Sequence, residues 1–226
     1  MKKSYGVVIA AGGSGTRFGT DIPKQFVEIS GIPIIAHTLS PFQSCKEISE
    51  IVIVAHKDYL VFCSDIVKRF GFDKVTSIIE GGSTRQSSVF KGIKALNTDY
   101  VLIHDAARPV ISSEKISICC TEVADCGACA LGIPSVDTIK VSLDGEYISS
   151  TPDRSTLWQI QTPQCFERDL ILNCHRKAAF DGFEATDDCM LAELQGAKVK
   201  LIQGDRTNIK ITDYADLALA EVLLNV

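Results

Sequence analysis

The chain has 226 residues, 46% of them hydrophobic and 23% charged, with a formal net charge of −5. That length supports one large domain with a sizeable core, and the composition is ordinary for a soluble globular protein. The mildly negative balance argues against a general nucleic-acid binder but not against an anionic small ligand held by local cations, and no apolar run reaches the ~18–20 residues that span a bilayer.

The opening stretch MKKSYGVVIAAGG has two lysines before an apolar run, as a signal peptide does. The run is only about seven residues long and enters a glycine-rich turn, so 5–11 reads as a buried strand and a cytoplasmic protein is expected. A helix follows over 33–45, with Pro41 as the place for a bend, then a strand over 50–56. Residues 58–71 carry Leu60, Val61, Ile66, Val67 and Phe70 on one helical face. VTSIIEG is a short strand, 84–96 a helix, 99–106 a strand, 113–125 a helix, and ACALGIP a strand. Continuous Val/Ile/Leu strands separated by helices imply an α/β fold with a mainly parallel sheet covered by helices on both faces.

The pattern changes over 136–163, where Asp144-Gly145 sits between two short runs of alternating character. That is a hairpin signal, read as an excursion from a single domain covering 1–226 rather than a second domain. A simple edge hairpin and an arm reaching a partner subunit are both open at this point. Helices over 167–181 and about 187–195, the strand VKLIQG, and a last helix from about Asp213, with Thr212 as N-cap, complete the chain. The nine cysteines are odd in number, and several, such as Cys119, Cys120, Cys174 and Cys189, lie in apolar segments. They suit small buried hydrophobes in a reducing compartment. CGAC, from Cys126 to Cys129, lacks the second pair or histidines that a zinc site needs.

Ligands of open α/β sheets bind at the carboxyl ends of the strands. That rule selects the loops 12–24, 81–88 and 104–109. In IAAGGSGTRFGTDIPKQF, Gly12, Gly13 and Gly15 allow backbone amides to approach phosphate oxygens. The Walker A template fails, and the dinucleotide fingerprint fails at Phe18. Arg17 and Lys24 point instead to chemistry on the phosphate, because preplaced cations stabilise charge that builds as a nucleophile attacks phosphorus. A surface turn with two solvated cations is the alternative reading of this loop.

HDAARP, 104–109, offers Asp105 for a divalent cation and Arg108 for a second phosphate, with a turn or helix cap as the alternative for Asp105. His104 reads as a satisfied structural histidine. GGSTRQSSV, 81–89, is a glycine turn into a helix, suited to a nucleotide or to capping by Ser83 or Thr84. Asp187 and Asp188 in TDD read as caps. Lys210 is unexpected in the apolar, strand-like NIKIT unless it faces a ligand or solvent.

Taken together, AGGSGTRF…PKQF, GGSTRQSSV, HDAARP, DTIK, TPDRSTLWQIQTPQ, TDD and NIKIT resemble the 2-C-methyl-D-erythritol 4-phosphate cytidylyltransferase family of the non-mevalonate isoprenoid pathway. The motifs run in order along nearly the whole chain. The resemblance implies a Rossmann-like nucleotidyltransferase fold and a homodimer joined by an extended β-arm at about 136–160. It also implies Mg²⁺-dependent transfer of CMP from CTP to a sugar-alcohol phosphate. By the same resemblance, Arg17 and Lys24 are catalytic cations and Asp105 is the metal-linked aspartate. Ala11, Gly12, Gly13, Gly15, Gly82, Ser83 and Ser88 surround CTP. Arg154 reaches across the dimer to the sugar phosphate, Thr186 and Lys210 contact phosphate, and Arg108, Thr138 and Thr162 line the same pocket.

Two departures stand out. Gly12 replaces an alanine common in the family, and Ser83 an acidic residue seen in some members. The double glycine also occurs in relatives that make CDP-ribitol from ribitol 5-phosphate, which makes that enzyme the alternative. HDAARP and TPDRSTLW look more like the methylerythritol enzymes. A non-catalytic nucleotide-binding module is the alternative of another class.

Overall fold

The computed structural model of the chain describes residues 3–13 and 22–224. At its centre is β1 (Tyr5–Ala11), which pairs in parallel with β4 (Ile48–Ala55) and β6 (Tyr100–Asp105). Its side chains alternate between faces, as the period of two requires. Val7 and Ile9 enter one buried cluster, with Ile51 and Ile53 of β4, and Val8 enters another, with Val52 and Val54. Both faces are therefore apolar, which is why the sequence runs without polar interruption.

Two short strands, β2 (Glu28–Ile29) and β3 (Ile32–Pro33), form a separate antiparallel pair. In the main sheet, β5 (Val75–Glu80) extends it parallel to β4. On the other side β8 (Trp158–Glu167) lies antiparallel to both β6 and β7 (Ala128–Pro134), and β9 (Lys200–Gln203) runs parallel to β7. The order is β5-β4-β1-β6-β8-β7-β9. The sheet is mostly parallel, as read from the sequence, with one antiparallel strand inserted.

Helices α1 (Ile34–Ser44), α2 (Leu60–Phe70) and α4 (Ser113–Cys126) pack on the first cluster. Pro41 lies inside α1. Helices α3 (Arg85–Ala95), α5 (Arg168–Asp181) and α6 (Asp188–Leu194) cover the second, and α7 (Tyr214–Leu223) closes a smaller third with Ile29, Ile34 and Ile211. Helix α3 sits unusually close to the sheet. A Cβ on Gly92 would lie 2.6 Å from Val8 Cγ1 and 2.9 Å from Val54 Cγ2.

Three local expectations are corrected. Asp213, not Thr212, caps α7: its side chain accepts the Asp216 amide in a reciprocal capping box, while the Thr212 hydroxyl donates to Asp216. Asp187 caps α6, whereas Asp188 is the first helical residue and turns inward to be buried. NIKIT forms no strand; the Ile211 amide donates to the Ala107 carbonyl at 2.9 Å and draws the segment across the end of β6.

Residues 136–156 are exposed apart from Pro152, and a single antiparallel bridge joins Val141 and Ser150 around a turn with Gly145 at φ 78°. This is the excursion expected from Asp144-Gly145, with less strand pairing than the alternation suggested. It ends before Trp158, where β8 begins. Among the described residues the nine cysteines are free thiols, eight of them buried, and no helix is long and apolar enough to cross a membrane.

Candidate active site

Four adjacent parallel strands end at one cavity of about 580 Å³. Beyond β1 lie Gly12 and Gly13, beyond β4 His56, beyond β5 Gly82, Ser83 and Thr84, and at the end of β6 Asp105, Ala106 and Ala107. Lys24, Gln25, Arg85, Ser88 and Lys210 complete the charged and polar lining. Described residues of all three loops selected from the sequence therefore converge here. The size is that of a small-molecule site.

The walls are held by specific bonds. Gln25 is buried, and its Nε2 donates to the carbonyls of Ala11 at 2.6 Å and Gly13 at 3.0 Å, which fixes the start of the glycine loop. On the second loop the Gly82 amide donates to Ser88 Oγ at 2.9 Å, and Ser88 Oγ donates to the Thr84 carbonyl at 2.8 Å. The turn is so tight that a Cβ on Gly82 would lie 2.7 Å from Ser87 Cβ. Thr84, not Ser83, caps α3, exchanging reciprocal bonds with Ser87. Ser83 remains on the cavity wall.

Asp105 is the one carboxylate among the described residues lining the cavity. Its Oδ2 lies 2.8 Å from Lys210 Nζ and 3.9 Å from Arg108 Nε, and its Oδ1 lies 3.4 Å from Arg85 Nε. Burial pushes its pKa up, but Arg85, Lys210 and Arg108 outweigh that and hold the carboxyl well below the usual carboxylate range. Lys24, Arg85 and Lys210 against Asp105 leave this lining with an excess of two positive charges. A chain that is negative overall thus concentrates cations where an anionic ligand would sit.

Behind Asp105, His104 is fully buried and satisfied. The Asp105 amide donates to Thr162 Oγ1 at 3.2 Å, the Thr162 hydroxyl donates to His104 Nδ1 at 3.0 Å, and His104 Nε2–H donates to the Arg108 carbonyl at 3.1 Å. This is the structural role expected of His104, and burial pushes its pKa down to about 4.

Gly12, Gly13, Lys24, Gly82, Ser83, Ser88, Asp105 and Lys210 are brought together on the cavity. Gly15 and Arg17 lie outside the described residues. Ala11 is buried in β1. Arg108 lies behind Asp105 and donates through Nη1 to the Asn208 carbonyl at 2.7 Å, and Thr162 is buried with its hydroxyl engaged on both sides. Thr186 precedes α6 and meets Met190 Sδ. Thr138 and Arg154 belong to the exposed arm, where Arg154 Nη1 donates to the Val136 carbonyl at 3.0 Å, and neither lines the cavity of its own chain. Sequence reasoning missed Gln25, His56 and Arg85. The first and third stand inside quoted motifs, and the strand-end rule applied to β4 would have found His56.

The family model of 2-C-methyl-D-erythritol 4-phosphate cytidylyltransferase (IspD) matches residues 5–226. A protein of that name from Clostridium novyi (strain NT) is 45% identical over 226 residues, covering 99% of this chain and 97% of the relative. One from Clostridium perfringens (strain SM101 / Type A) is 46% identical over 217 residues, covering 95% and 96%. The crystal structure of 4-diphosphocytidyl-2C-methyl-D-erythritol synthase from Anaerococcus prevotii DSM 20548 is 33% identical with a TM-score of 0.87, over 100% of this chain and 97% of that one. The Thermus thermophilus 2-C-methyl-D-erythritol 4-phosphate cytidylyltransferase is 31% identical with a TM-score of 0.79, over 100% of both chains. The chain therefore belongs to the 2-C-methyl-D-erythritol 4-phosphate cytidylyltransferase family.

Proposed function

We propose that the chain transfers CMP from CTP to 2-C-methyl-D-erythritol 4-phosphate, giving 4-diphosphocytidyl-2-C-methyl-D-erythritol and pyrophosphate. The observation that carries this reading is the ring of cations around Asp105, set beside two glycine loops in one cavity, in a chain of this family. A phosphate oxygen of the sugar substrate forms a bond to the α-phosphorus of CTP, and the bond from that phosphorus to the bridging oxygen breaks. A phosphate monoester is already an anionic nucleophile, so no side chain need be modified, and the protein's contribution is positioning and charge stabilisation. Lys24 and Lys210 supply that charge from the described cavity wall, with Arg17 proposed to join them. Gly12, Gly13, Gly82, Ser83 and Ser88 are proposed to surround the nucleotide.

Mg²⁺ accepts one or two carboxylates together with substrate phosphates, and a single ionised carboxylate on the cavity wall fits that mode. Asp105 would hold the ion, which when bound neutralises developing phosphate charge.

The arm is proposed to join a homodimer. Leu143, Tyr147 and Ile148 are 89%, 74% and 66% exposed there, a surface that a second copy would cover. Thr138 and Arg154, which do not line their own cavity, are then proposed to serve the other subunit's. Arg108, Thr162 and Thr186 are proposed to shape the sugar-phosphate side, the first two from behind the wall. The cytoplasm is the proposed compartment, because a reducing medium keeps nine thiols free.

Space at Gly12 bears on the choice of sugar alcohol. Among the described residues a Cβ there would meet Ser88 Oγ alone, at 3.6 Å, an ordinary contact, so none of them demands glycine and Gly12 is weak support for a ribitol enzyme. The test is pyrophosphate release with CTP, Mg²⁺ and each sugar phosphate in turn. Turnover with the methylerythritol substrate supports the reading; preference for ribitol 5-phosphate, or no release with either, overturns it.

A further inference from the structure

Asp188 is 1% exposed, does not line the cavity and does not cap α6. Its two oxygens are taken by Arg85 Nη1 at 2.8 Å and His175 Nε2 at 3.0 Å. His175 is equally buried, its ring lies parallel to Phe90 of α3 at 5.6 Å, and its Nδ1 has no hydrogen-bond partner among the described residues. The backbone amides of Asp188 and Cys189 donate to Gln164 Oε1 at 3.0 and 3.2 Å, which ties the start of α6 to β8. Arg85 joins this buried group to the cavity: Nη1 faces Asp188 while Nε faces Asp105 at 3.4 Å.

We propose that Asp188, backed by His175, is a positioning residue that holds the Arg85 guanidinium against Asp105 on the cavity wall. The proposal rests on the cytidylyl-transfer reading. Arg85 is the first residue of α3, and among the described residues its guanidinium has one other ion-pair contact, the looser one to Asp105. A planar guanidinium gripped by a second, shorter, charge-assisted bond loses the freedom to swing into the cavity or away from it. A buried ion pair gives little stability over well-packed apolar residues, so its benefit here lies in orientation. Orientation is valuable at this point, since misplacing a group by about 1 Å can lower a rate on the order of 10²-fold.

The experiment uses the full chain and the pyrophosphate-release assay, with CTP affinity measured by calorimetry and folding by thermal melting. Asp188→Asn keeps the size and the contact to Gln164 but removes the charge. It is expected to lower kcat on the order of 10²-fold while the KM for each substrate and the CTP Kd change only a few-fold. Arg85→Gln is expected to fall similarly, and the double variant no further than the lower single, because both changes remove one contact. Wild-type kcat in folded Asp188→Asn, or a double variant that falls by the product of the singles, overturns the proposal. If Asp188→Asn does not fold, His175→Gln carries the test: a lowered kcat at unchanged KM supports it, and unchanged constants overturn it. A wild-type chain that releases no pyrophosphate overturns the transfer reading itself, and this proposal with it.

Discussion

Replacing Lys210 by methionine separates its proposed catalytic work from its visible ion pair. The Lys210 ammonium lies 2.8 Å from Asp105 Oδ2, but its side chain is 42% exposed. Solvent screens such a pair, so its loss is expected to cost about 0–1 kcal/mol of stability. For a chain of this length that lowers Tm by no more than ~2–4 °C. Asp105 keeps Arg85 at 3.4 Å and Arg108 at 3.9 Å, so it is not left as an unpaired buried charge. The kinetic loss is expected to be far larger. Removing one preplaced electrostatic group from a developing charge costs on the order of 10²–10³ in kcat, or ~2.7–4 kcal/mol. The assay is pyrophosphate release at saturating CTP and sugar phosphate, beside a melting curve of the same sample. A Tm lowered by more than ~8 °C with kcat per folded molecule unchanged would refute the reasoning, since Lys210 would then be a structural residue.

Acid should weaken the fold through His104. Its pKa is pushed down to about 4, so between there and its ordinary value of 6.5 the unfolded chain binds a proton that the folded chain does not. Stability therefore falls as pH drops through that window, by about 2 kcal/mol between pH 7 and 5. The urea midpoint should fall accordingly, and His104→Gln should flatten the slope; an equally steep slope in that variant would remove His104 as its source. Gly92→Ala gains about 1 kcal/mol of helix propensity but forces a methyl against Val8 and Val54, at about 1–3 kcal/mol or more. A net loss of about 0–2 kcal/mol is expected in urea unfolding, and a stabilised variant would mean α3 lifts freely. Mixing inactive Arg154→Ala and Lys24→Ala chains should restore some activity if Arg154 serves the other subunit. No recovery after confirmed subunit exchange would count against that arrangement.

Much of the fold was legible because its signals are local. The unbroken apolar runs of β1 and β4 require two covered faces, and both are covered. The strand-end rule then selected three loops whose described residues meet in one cavity. The antiparallel insertion of β8 was not legible, because WQIQTPQCFE is too polar to announce a central strand. Gln161 and Gln164 are buried there with their Nε2 groups donating to the Asp205 carbonyl and Asp187 Oδ2, both at 2.8 Å. Those partners stand 44 and 23 residues away. No window along the chain contains them.

The candidate site divides in the same way. Lys210 could be suspected because a lysine in an apolar stretch needs a reason, and Asp105 because it ends a strand. Arg85 and Asp188 gave no such signal: an arginine opening a helix and the second of two aspartates before one both read as ordinary helix-end residues. Which aspartate caps depends on helix phase. Asp187 meets the Met190 amide at 2.9 Å, and that places Asp188 one position on, facing α5 and α3. Its charge then has to be matched inside the protein, by an arginine 103 residues earlier in the chain. Burial pushes the Asp188 pKa up, yet Arg85 and His175 reverse that and hold it below the usual value. A carboxylate kept ionised in the interior is useful only to the cation it faces, and that cation faces the cavity.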